Sequence, residues 1–457
     1  MMNAVNSVIV HASRYCEPSE AEEKKLASVA TQVMELLRYF HSPHIVGIVA
    51  GGSFAKGTWI KGDADLDIFV KIQASVDKVE FERLGMAIGL SSLKSFRTRV
   101  RYSEHPYVEA FVKNIRVNIV PCYDVERGNW RSAADRSPFH TEYILTRMSN
   151  QMKKEVRLLK KFLKSVGVYG AEIARGGISG YVTEILILRY GSFFSTLQGI
   201  ADIAKEREVI SLDEVDKDIL KTFQSKIIII DPIDHRRNLG AAISAESLAK
   251  FILAARAFIQ RPSLEFFDRK KNKTFRSHTL NSNLLIVEFK YRDRSPDTIW
   301  GQLKKTLGSL SRQLELAHFK VVRDTCLTDE RGLACFVFLL QSVRLPCFTE
   351  RTGPEVFRKK ESFEFISKNS KDCLLFWANK EMRLVGLFKT SITNAEDYLR
   401  LLLNERLDSA GITRGLKEDL ESTTLKIYTG KEKGMIKGIV RDAINQVITT
   451  EQYILRF

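Results

Sequence analysis

Two aspartates separated by one residue, Asp65 and Asp67, have the residue type and spacing best suited to chemistry in this sequence. The apolar run over 66–72 around them predicts a β-strand. Because side chains alternate along a strand, both carboxylates would project from the same face. Carboxylates this close repel each other unless a cation lies between them, and a divalent metal acting on phosphates is the usual partner. Taken alone, such a pair is also typical of a solvated acidic turn.

A Gly-Ser turn upstream of the aspartates favours the metal interpretation. Gly52 and Ser53 follow a predicted buried strand over 45–50, and Ser53 precedes Asp65 by twelve residues. The backbone N–H groups and the hydroxyl of such a turn can bind phosphate oxygens. A Gly-Ser turn followed at this distance by two aspartates on a strand resembles the signature of the DNA polymerase β-type nucleotidyltransferase superfamily.

The longer string GSFAKGTWIKGDADLDIFV is more specific. It resembles the active-site segment of the archaeal (class I) tRNA CCA-adding enzymes, and further similar blocks such as HPYVEAF, VNIVPCY and ADRSPFHTEY cover most of residues 45–260. The resemblance implies template-independent addition of C, C and A to the 3′ end of tRNA from CTP and ATP, with two Mg²⁺ ions as cofactors. Two alternatives stay open: another polymerase β-type RNA 3′-end enzyme, such as a poly(A) polymerase or an oligoadenylate synthase, and an RNA-binding protein with impaired catalysis.

The resemblance also implies a nucleotide-binding role for eight residues. These are Gly52, Ser53, Lys56, Ser137, His140, Lys160, Tyr169 and Arg237. Ser53, Lys56 and Lys160 match positions that face the triphosphate, whereas Arg237 matches the arginine that helps to read the incoming base. Without the family, Lys160 would be interpreted as part of a solvated helix face, because other lysines surround it in the sequence.

One position departs from the family's pattern. Asp65 and Asp67 match its two metal-binding carboxylates, but the third carboxylate position is occupied by Asn118. Asparagine has an acceptor oxygen but no charge, and it cannot take a proton from an attacking hydroxyl. General-base help is typically worth roughly 10²- to 10⁴-fold in rate. Asn118 is kept as the third predicted catalytic and metal-site residue, with Glu109 and Asp124 as alternative acids.

The elements that must position these residues divide into four predicted domains in an α+β, multidomain fold. Residues 1–148 would form a polymerase β-type nucleotidyltransferase head with a mixed sheet, including a helix over 19–40 and a hairpin turning at Lys113-Asn114. Residues 149–261 would form a helical, nucleotide-binding neck. The α/β body would take 262–320 plus 385–457, and a tRNA-binding tail 321–384. In the body, Thr393-Asn-Ala-Glu396 predicts a capping box that begins a helix.

Composition and charge indicate a nucleic-acid partner. The formal net charge is +16, from 71 basic and 55 acidic residues, which attracts a polyanion. The partners expected are the acceptor stem and 3′ end of tRNA and nucleoside triphosphates, with no membrane, and a homodimer is left open. Six cysteines without zinc spacing and the lack of a signal peptide predict a cytoplasmic protein. Basic residues suitable for RNA phosphates are Lys270, Lys271, Lys273, Lys304, Lys305, Arg358, Lys359 and Lys360.

Overall fold

The computed structural model describes residues 2–268, 278–432 and 436–450. The chain forms two compact units, one over 1–273 with 451–457 and one over 274–450. The finer division into head, neck, body and tail stays a prediction. Three of the basic residues singled out above lie outside the described residues, namely Lys270, Lys271 and Lys273.

A five-stranded mixed sheet forms the first half of the first unit. Its strands are β1 (Ile45–Gly51), β2 (Asp65–Gln73), β3 (Arg97–Tyr102), β4 (Pro106–Val112) and β5 (Ile115–Asp124). They lie in the order β1-β2-β5-β4-β3, with β2 and β5 parallel and the other neighbours antiparallel. Lys113 and Asn114 join β4 to β5 with φ angles of 48° and 65°, the left-handed pair typical of a two-residue hairpin turn. The predicted strands and hairpin are confirmed.

The core of this sheet fixes the direction in which the two aspartates point. Helices α2 (Glu20–Arg38) and α4 (Lys78–Ser92) contribute buried apolar residues to one core with the sheet. Leu66, Ile68 and Val117 are fully buried in this core. Because side chains alternate along a strand, residues 65, 67 and 118 project from the opposite face. We call that opposite face, which carries these three residues, the polar face.

Helices surround a second core in the rest of the first unit. The helices not yet named are α1 (Met2–Cys16), α3 (Gly52–Lys56), α5 (Arg136–Arg147), α6 (Asn150–Val166), α7 (Gly180–Tyr190), α8 (Phe193–Ala201), α9 (Lys217–Thr222) and α10 (Ala245–Gln260). Helix α6 begins after Ser149, whose side chain accepts a hydrogen bond from Met152 N, and it ends at Gly167 with a φ of 85°. Glycine adopts this left-handed angle without strain, and so it ends the helix where the sequence predicts.

A small sheet interrupts the region predicted to be mostly helical. Strands β6 (Glu208–Ile210), β7 (Ile227–Asp231) and β8 (Asp234–Asn238) pair in the order β6-β7-β8. All five residues of β7 are buried, and so this strand lacks the polar-apolar alternation by which a half-buried strand is recognised. The short turn between β7 and β8, residues 231–234, becomes important in the site.

The second unit contains two antiparallel sheets and five helices among its described residues. One sheet has the order β10-β11-β9-β15 and the other β12-β14-β13. The strands are β9 (Leu284–Lys290), β10 (Val321–Thr328), β11 (Leu333–Leu340), β12 (Phe348–Glu355), β13 (Cys373–Ala378), β14 (Arg383–Lys389) and β15 (Lys426–Thr429). The helices are α11 (Pro296–Leu316), α12 (Lys359–Asn369), α13 (Ala395–Glu405), α14 (Arg414–Ser422) and α15 (Gly438–Ile448).

The predicted capping box of α13 is wrong by one residue. Asn394, not Thr393, has the extended cap conformation, and its side chain accepts from Glu396 N. The remaining basic residues singled out above are exposed in this unit, namely Lys304, Lys305, Arg358, Lys359 and Lys360. Across the described ranges of both units, no helix combines the length and apolarity needed to span a bilayer. The predicted α+β class is confirmed.

Candidate active site

One row of residues crosses the five-stranded sheet on its polar face. Asp67 lies opposite Gly51 of β1 on one side and opposite Asn118 of β5 on the other. Asn118 lies opposite Glu109 of β4, which lies opposite Arg99 of β3. Nδ2 of Asn118 donates a hydrogen bond to Oδ1 of Asp67 at 2.8 Å. The strand register therefore brings two of the predicted catalytic residues into direct contact.

Asp65, the third predicted catalytic residue, lies in the neighbouring row opposite Arg116 of β5. The Arg116 guanidinium donates to both carboxylate oxygens, from Nε to Oδ1 at 2.9 Å and from Nη2 to Oδ2. The two side chains are 47% and 37% exposed, so water screens the pair and its contribution to stability is small. Arg116, which the sequence analysis did not single out, is a cation bound where a carboxylate pair would bind a metal ion.

The surroundings of Asp67 favour a positive ligand. Burial raises the pKa of the Asp67 carboxyl above its ordinary value, the hydrogen bond from Asn118 opposes that rise, and the charge of Asp65 adds to it. A buried carboxylate beside a second carboxylate is unfavourable when ionised, and a cation between them removes the penalty. The oxygen-rich donor set of Asp65, Asp67 and Asn118 therefore fits a hard divalent cation.

Gly52 explains why the turn before α3 needs glycine. Its φ is 62°, and a Cβ atom added there would lie 2.0 Å from Oδ2 and 3.1 Å from Cβ of Asp67. Asp67 cannot turn aside freely, because Asn118 holds its other oxygen. Ser53 follows Gly52 in the same short helix and is half-buried. The Gly-Ser turn and the second aspartate of the sequence signature are thus packed against each other.

Two predicted triphosphate residues, Lys56 and Lys160, share one buried glutamate. Nζ of Lys56 lies 2.5 Å from Oε2 of Glu184, and Nζ of Lys160 lies 3.5 Å from Oε1. Thr58 donates to Glu184 at 2.6 Å and accepts from Lys160 at 3.1 Å. Lys56, Lys160 and Glu184 are only 6%, 2% and 0% exposed. The solvated-face interpretation of Lys160 is therefore wrong.

This buried cluster carries more positive than negative charge. Burial lowers the pKa of Lys160 to about 8, and two ammonium groups face one carboxylate. An excess of buried positive charge is unfavourable unless an anion compensates it, which suits the binding of a phosphate chain. The sequence analysis missed Glu184 and Thr58. A signal was present for the first, because Glu184 is the one charged residue in the run GYVTEILIL.

A second buried carboxylate, Asp231 at the end of β7, joins two further predicted residues. Its Oδ2 accepts from Nε2 of His140 at 2.9 Å and from Nη1 of Arg237 at 3.2 Å. Its Oδ1 accepts from the Tyr181 hydroxyl at 3.3 Å and from Ile233 N at 3.1 Å. Burial lowers the pKa of His140, so a neutral His140 that donates to an ionised Asp231 fits this contact. The sequence analysis missed both Asp231 and Tyr181.

Tyr181 connects the two buried clusters. Its ring centroid lies 3.8 Å from that of His140 and 5.5 Å from Nζ of Lys56. Tyr169 lies near the lysines as well, since a Cβ added at Gly180 would lie 3.0 Å from its hydroxyl and 3.6 Å from Nζ of Lys160. The predicted residues on α3, α5 and α6 thus converge on one region of the first unit.

Ser137 is the predicted residue with the least specific surroundings. It is half-buried on α5, one turn before His140, and its carbonyl accepts from Oγ1 of Thr141 at 3.0 Å. Its position on α5 places it on the helix that also carries His140. No described contact joins Ser137 to the aspartates or to the lysine cluster.

The two alternative acids differ in their distance from the metal-binding residues. Glu109 lies beside Asn118 in the sheet, but its buried carboxylate binds Arg99 and lies 3.7 Å from Arg101. Asp124 lies at the end of β5, where it binds Lys71 at 3.0 Å. At about 3.3 Å per residue, Asp124 is roughly 20 Å along the strand from Asn118. Asp124 is therefore excluded as a base at this site.

Models of three protein families match the chain. A nucleotidyltransferase domain matches residues 33–145, the second domain of tRNA nucleotidyltransferases matches 154–268, and the C-terminal domain of CCA-adding enzymes matches 281–423. The first of these ranges includes the whole five-stranded sheet, and the second includes the buried clusters of Glu184 and Asp231. The predicted nucleotidyltransferase head is confirmed.

Curated relatives are similar over most of their length. The CCA-adding enzyme of Pyrobaculum neutrophilum is 35% identical over 371 residues, which is 78% of this chain and 84% of that protein. Those of Sulfurisphaera tokodaii and Methanocaldococcus jannaschii are 30% and 32% identical, and the matches cover 97% and 90% of those proteins and 92% and 84% of this chain. Among solved structures, Cid1 poly(U) polymerase matches 57% of this chain and 97% of its own, with a TM-score of 0.47 and 15% identity.

Proposed function

Because this chain belongs to the CCA-adding enzyme family, we propose that it adds C, C and A to the 3′ end of tRNA from CTP and ATP without a nucleic-acid template. The membership confirms the family predicted from the string GSFAKGTWIKGDADLDIFV. The observation that supports the reaction most strongly is the row in which Asp67 contacts Asn118, beside Asp65 and packed against Gly52. Such a row can hold a metal next to a nucleotide's phosphates.

Nucleotide substrates and a divalent metal are common to this class of nucleotidyltransferase domain, and we propose two Mg²⁺ ions here. Asp65, Asp67 and the amide oxygen of Asn118 would hold them; Nδ2 of Asn118 is used on Asp67, which leaves its Oδ1 as an acceptor. When bound, the ions supply activation of the RNA 3′-hydroxyl and stabilisation of the pyrophosphate leaving group. Arg116 would give up its bonds to Asp65 as the ions bind.

The other residues bind and orient the nucleotide. Lys56 and Lys160 place positive charge where a triphosphate would lie, since Glu184 neutralises only one of them. Arg237 is 39% exposed and keeps N–H donors beyond the one given to Asp231. A guanidinium presents a rigid fork of donors that suits acceptors on a base and on a phosphate. Base choice would therefore rest on Arg237 together with the RNA.

The deciding experiment is incubation of the protein with tRNA lacking its 3′ end, Mg²⁺, and labelled CTP or ATP. We expect C, C and A to be added in that order and addition to stop there. Long A or U tracts would indicate a different RNA 3′-end enzyme. Tight tRNA binding without incorporation would indicate the RNA-binding protein with impaired catalysis that Asn118 suggests.

Replacement of Arg237 by Ala should impair nucleotide selection more than it weakens tRNA binding. The substitution removes base-facing donors but leaves the exposed basic surface intact. The measurement is kcat/KM for CTP, ATP, UTP and GTP, with tRNA affinity determined in parallel. A variant that rejects UTP and GTP as the wild type does, and adds C and A at unchanged rates, would exclude Arg237 as the reader.

Binding of tRNA should weaken steeply as salt increases. Each phosphate contact releases counterions, so the logarithm of affinity falls by roughly 0.7 to 0.9 per contact for each unit in the logarithm of salt concentration. Replacing the exposed Arg358, Lys359 and Lys360 with Ala measures their share, because each lost contact reduces the slope by that amount. A wild-type affinity that does not respond to salt would remove the basic surface from the proposal.

The tRNA and nucleoside triphosphates are the partners that family membership implies. The homodimer and the cytoplasmic location stay predictions. Light scattering of the purified protein would test the first, and fractionation of the source cells the second.

A further inference from the structure

Four donors converge on the carboxylate of Asp231, which is completely buried. They come from α5, α7, β8 and the turn after β7, through His140, Tyr181, Arg237 and the backbone of Ile233. We propose that Asp231 is a positioning residue for nucleotide selection, which holds the Arg237 guanidinium in the one orientation that admits C and A. This inference rests on the proposed function, because it assigns a device to the same site.

The contact between Asp231 and Arg237 has the character of a strong tether. Burial alone would raise the pKa of Asp231, but the hydrogen bond and charge of His140, with the charge of Arg237, hold it below its ordinary value. Asp231 is therefore an anion, and hydrogen bonds between charged groups are shorter and stronger than those between neutral groups. The opposite side of the carboxylate is held by Tyr181 and Ile233, and so the carboxylate itself has little freedom to rotate.

A tether of this kind matters because Arg237 is a long and partly exposed side chain. It donates through Nη1 to Oδ2 of Asp231 at 3.2 Å, which fixes the plane and direction of the guanidinium. Nε and Nη2 have no described hydrogen-bond partner in the protein and are left for a ligand. A side chain held in its binding conformation loses less entropy on binding and discriminates better between ligands that differ in donor pattern. Free rotation would let the fork adapt to the wrong bases.

The turn that carries Asp231 does not depend on Asp231 alone. Arg136 of α5 donates to Asp234 at 2.9 Å, and Arg127 donates to the carbonyls of Pro232 and Ile233 at 2.7 Å and 3.1 Å. These contacts anchor residues 232–234 independently of the carboxylate at 231. The chain therefore offers a matched control, since Asp234→Asn weakens an ion pair on the same turn without touching Arg237.

The test compares Asp231→Asn with Asp234→Asn in the full chain, with tRNA lacking its 3′ end as the primer. The measurement is the ratio of kcat/KM for UTP and GTP to that for CTP and ATP. We expect Asp231→Asn to raise this ratio at least about tenfold, which is ~1.4 kcal/mol of discrimination, and Asp234→Asn to leave it within about twofold. Asp231→Glu keeps the charge and so protects folding, but it displaces the tether by one methylene, and it should also raise the ratio.

A double-mutant cycle separates positioning from general damage. In the Arg237→Ala background, Asp231→Asn should cause no further loss of selectivity, because the group that it positions is gone. Additive losses, or unchanged selectivity in both Asp231→Asn and Asp231→Glu, would overturn the inference alone. A wild-type protein that adds neither nucleotide would overturn the proposed function and this inference with it.

Discussion

Replacement of Asp65 or Asp67 by Ala is expected to reduce nucleotide addition by more than about 100-fold, or ~2.7 kcal/mol of barrier. Both carboxylates lie on the polar face, where a bound cation would relieve their mutual repulsion. Affinity for tRNA should stay within a few-fold, because neither side chain belongs to the exposed basic surface. Single-turnover rates with labelled CTP, and tRNA binding measured in the same buffer, test both parts.

Asp63 provides the matched control for these variants. It precedes Asp65 by two residues, is exposed, and binds Lys164 rather than a residue of the polar face. Asp63→Ala should therefore add nucleotides at close to the wild-type rate. Turnover above about a hundredth of wild type in Asp65→Ala or Asp67→Ala would contradict the assignment of the metal-binding pair.

Substitution of Asn118 by Asp is expected to accelerate nucleotide addition in Mg²⁺ by about 100-fold, the lower end of what general-base help provides. Asn118 lies directly opposite Asp67 in the parallel pairing of β2 and β5, and the side chains touch. An added charge there would supply both an anionic ligand and a proton acceptor. Both act mainly in the transition state, so the gain should appear in kcat and leave tRNA affinity nearly unchanged.

The same substitution has an opposing effect on stability. The introduced carboxylate could not donate the hydrogen bond that Asp67 receives from Nδ2 of Asn118, and three carboxylates would repel one another. Without metal the free energy of unfolding should fall by on the order of 1 kcal/mol, and Mg²⁺ should restore it because it binds the folded state. Thermal unfolding with and without Mg²⁺ measures this.

An Asn118→Asp variant that is unchanged or slower would show that no base acts at this position. Glu109 would then be the remaining candidate, since Asp124 is too far along β5. Glu109→Gln, which keeps the shape and removes the charge, would test it directly.

The catalytic half of the site could be predicted because it depends on local spacing. Asp65 and Asp67 share a face by strand alternation alone, and the register between β2 and β5 follows from two recognisable strands. Asn118 could be placed there only through the resemblance to a family, because nothing in its own residue type indicates a metal.

The nucleotide-binding half could be predicted only in part, because its partners are distant in the sequence. Glu184 meets Lys56 across 128 residues, and Asp231 meets His140 across 91. No periodicity indicates which buried acid a given lysine or histidine will reach. Lys160 is the sharpest case: its lysine-rich surroundings in the sequence indicate solvent, yet the packing of α6 against α7 buries it beside Glu184.

The contact between Gly52 and Asp67 has a consequence for how this chain can change over generations. Glycine is the smallest residue, so every substitution at position 52 adds an atom where the Asp67 carboxylate already lies. A compensating change would have to shorten or remove Asp67, and with it the carboxylate that the reaction needs. Neither position can drift while the other stays, and so the turn and the acid are inherited as a single unit.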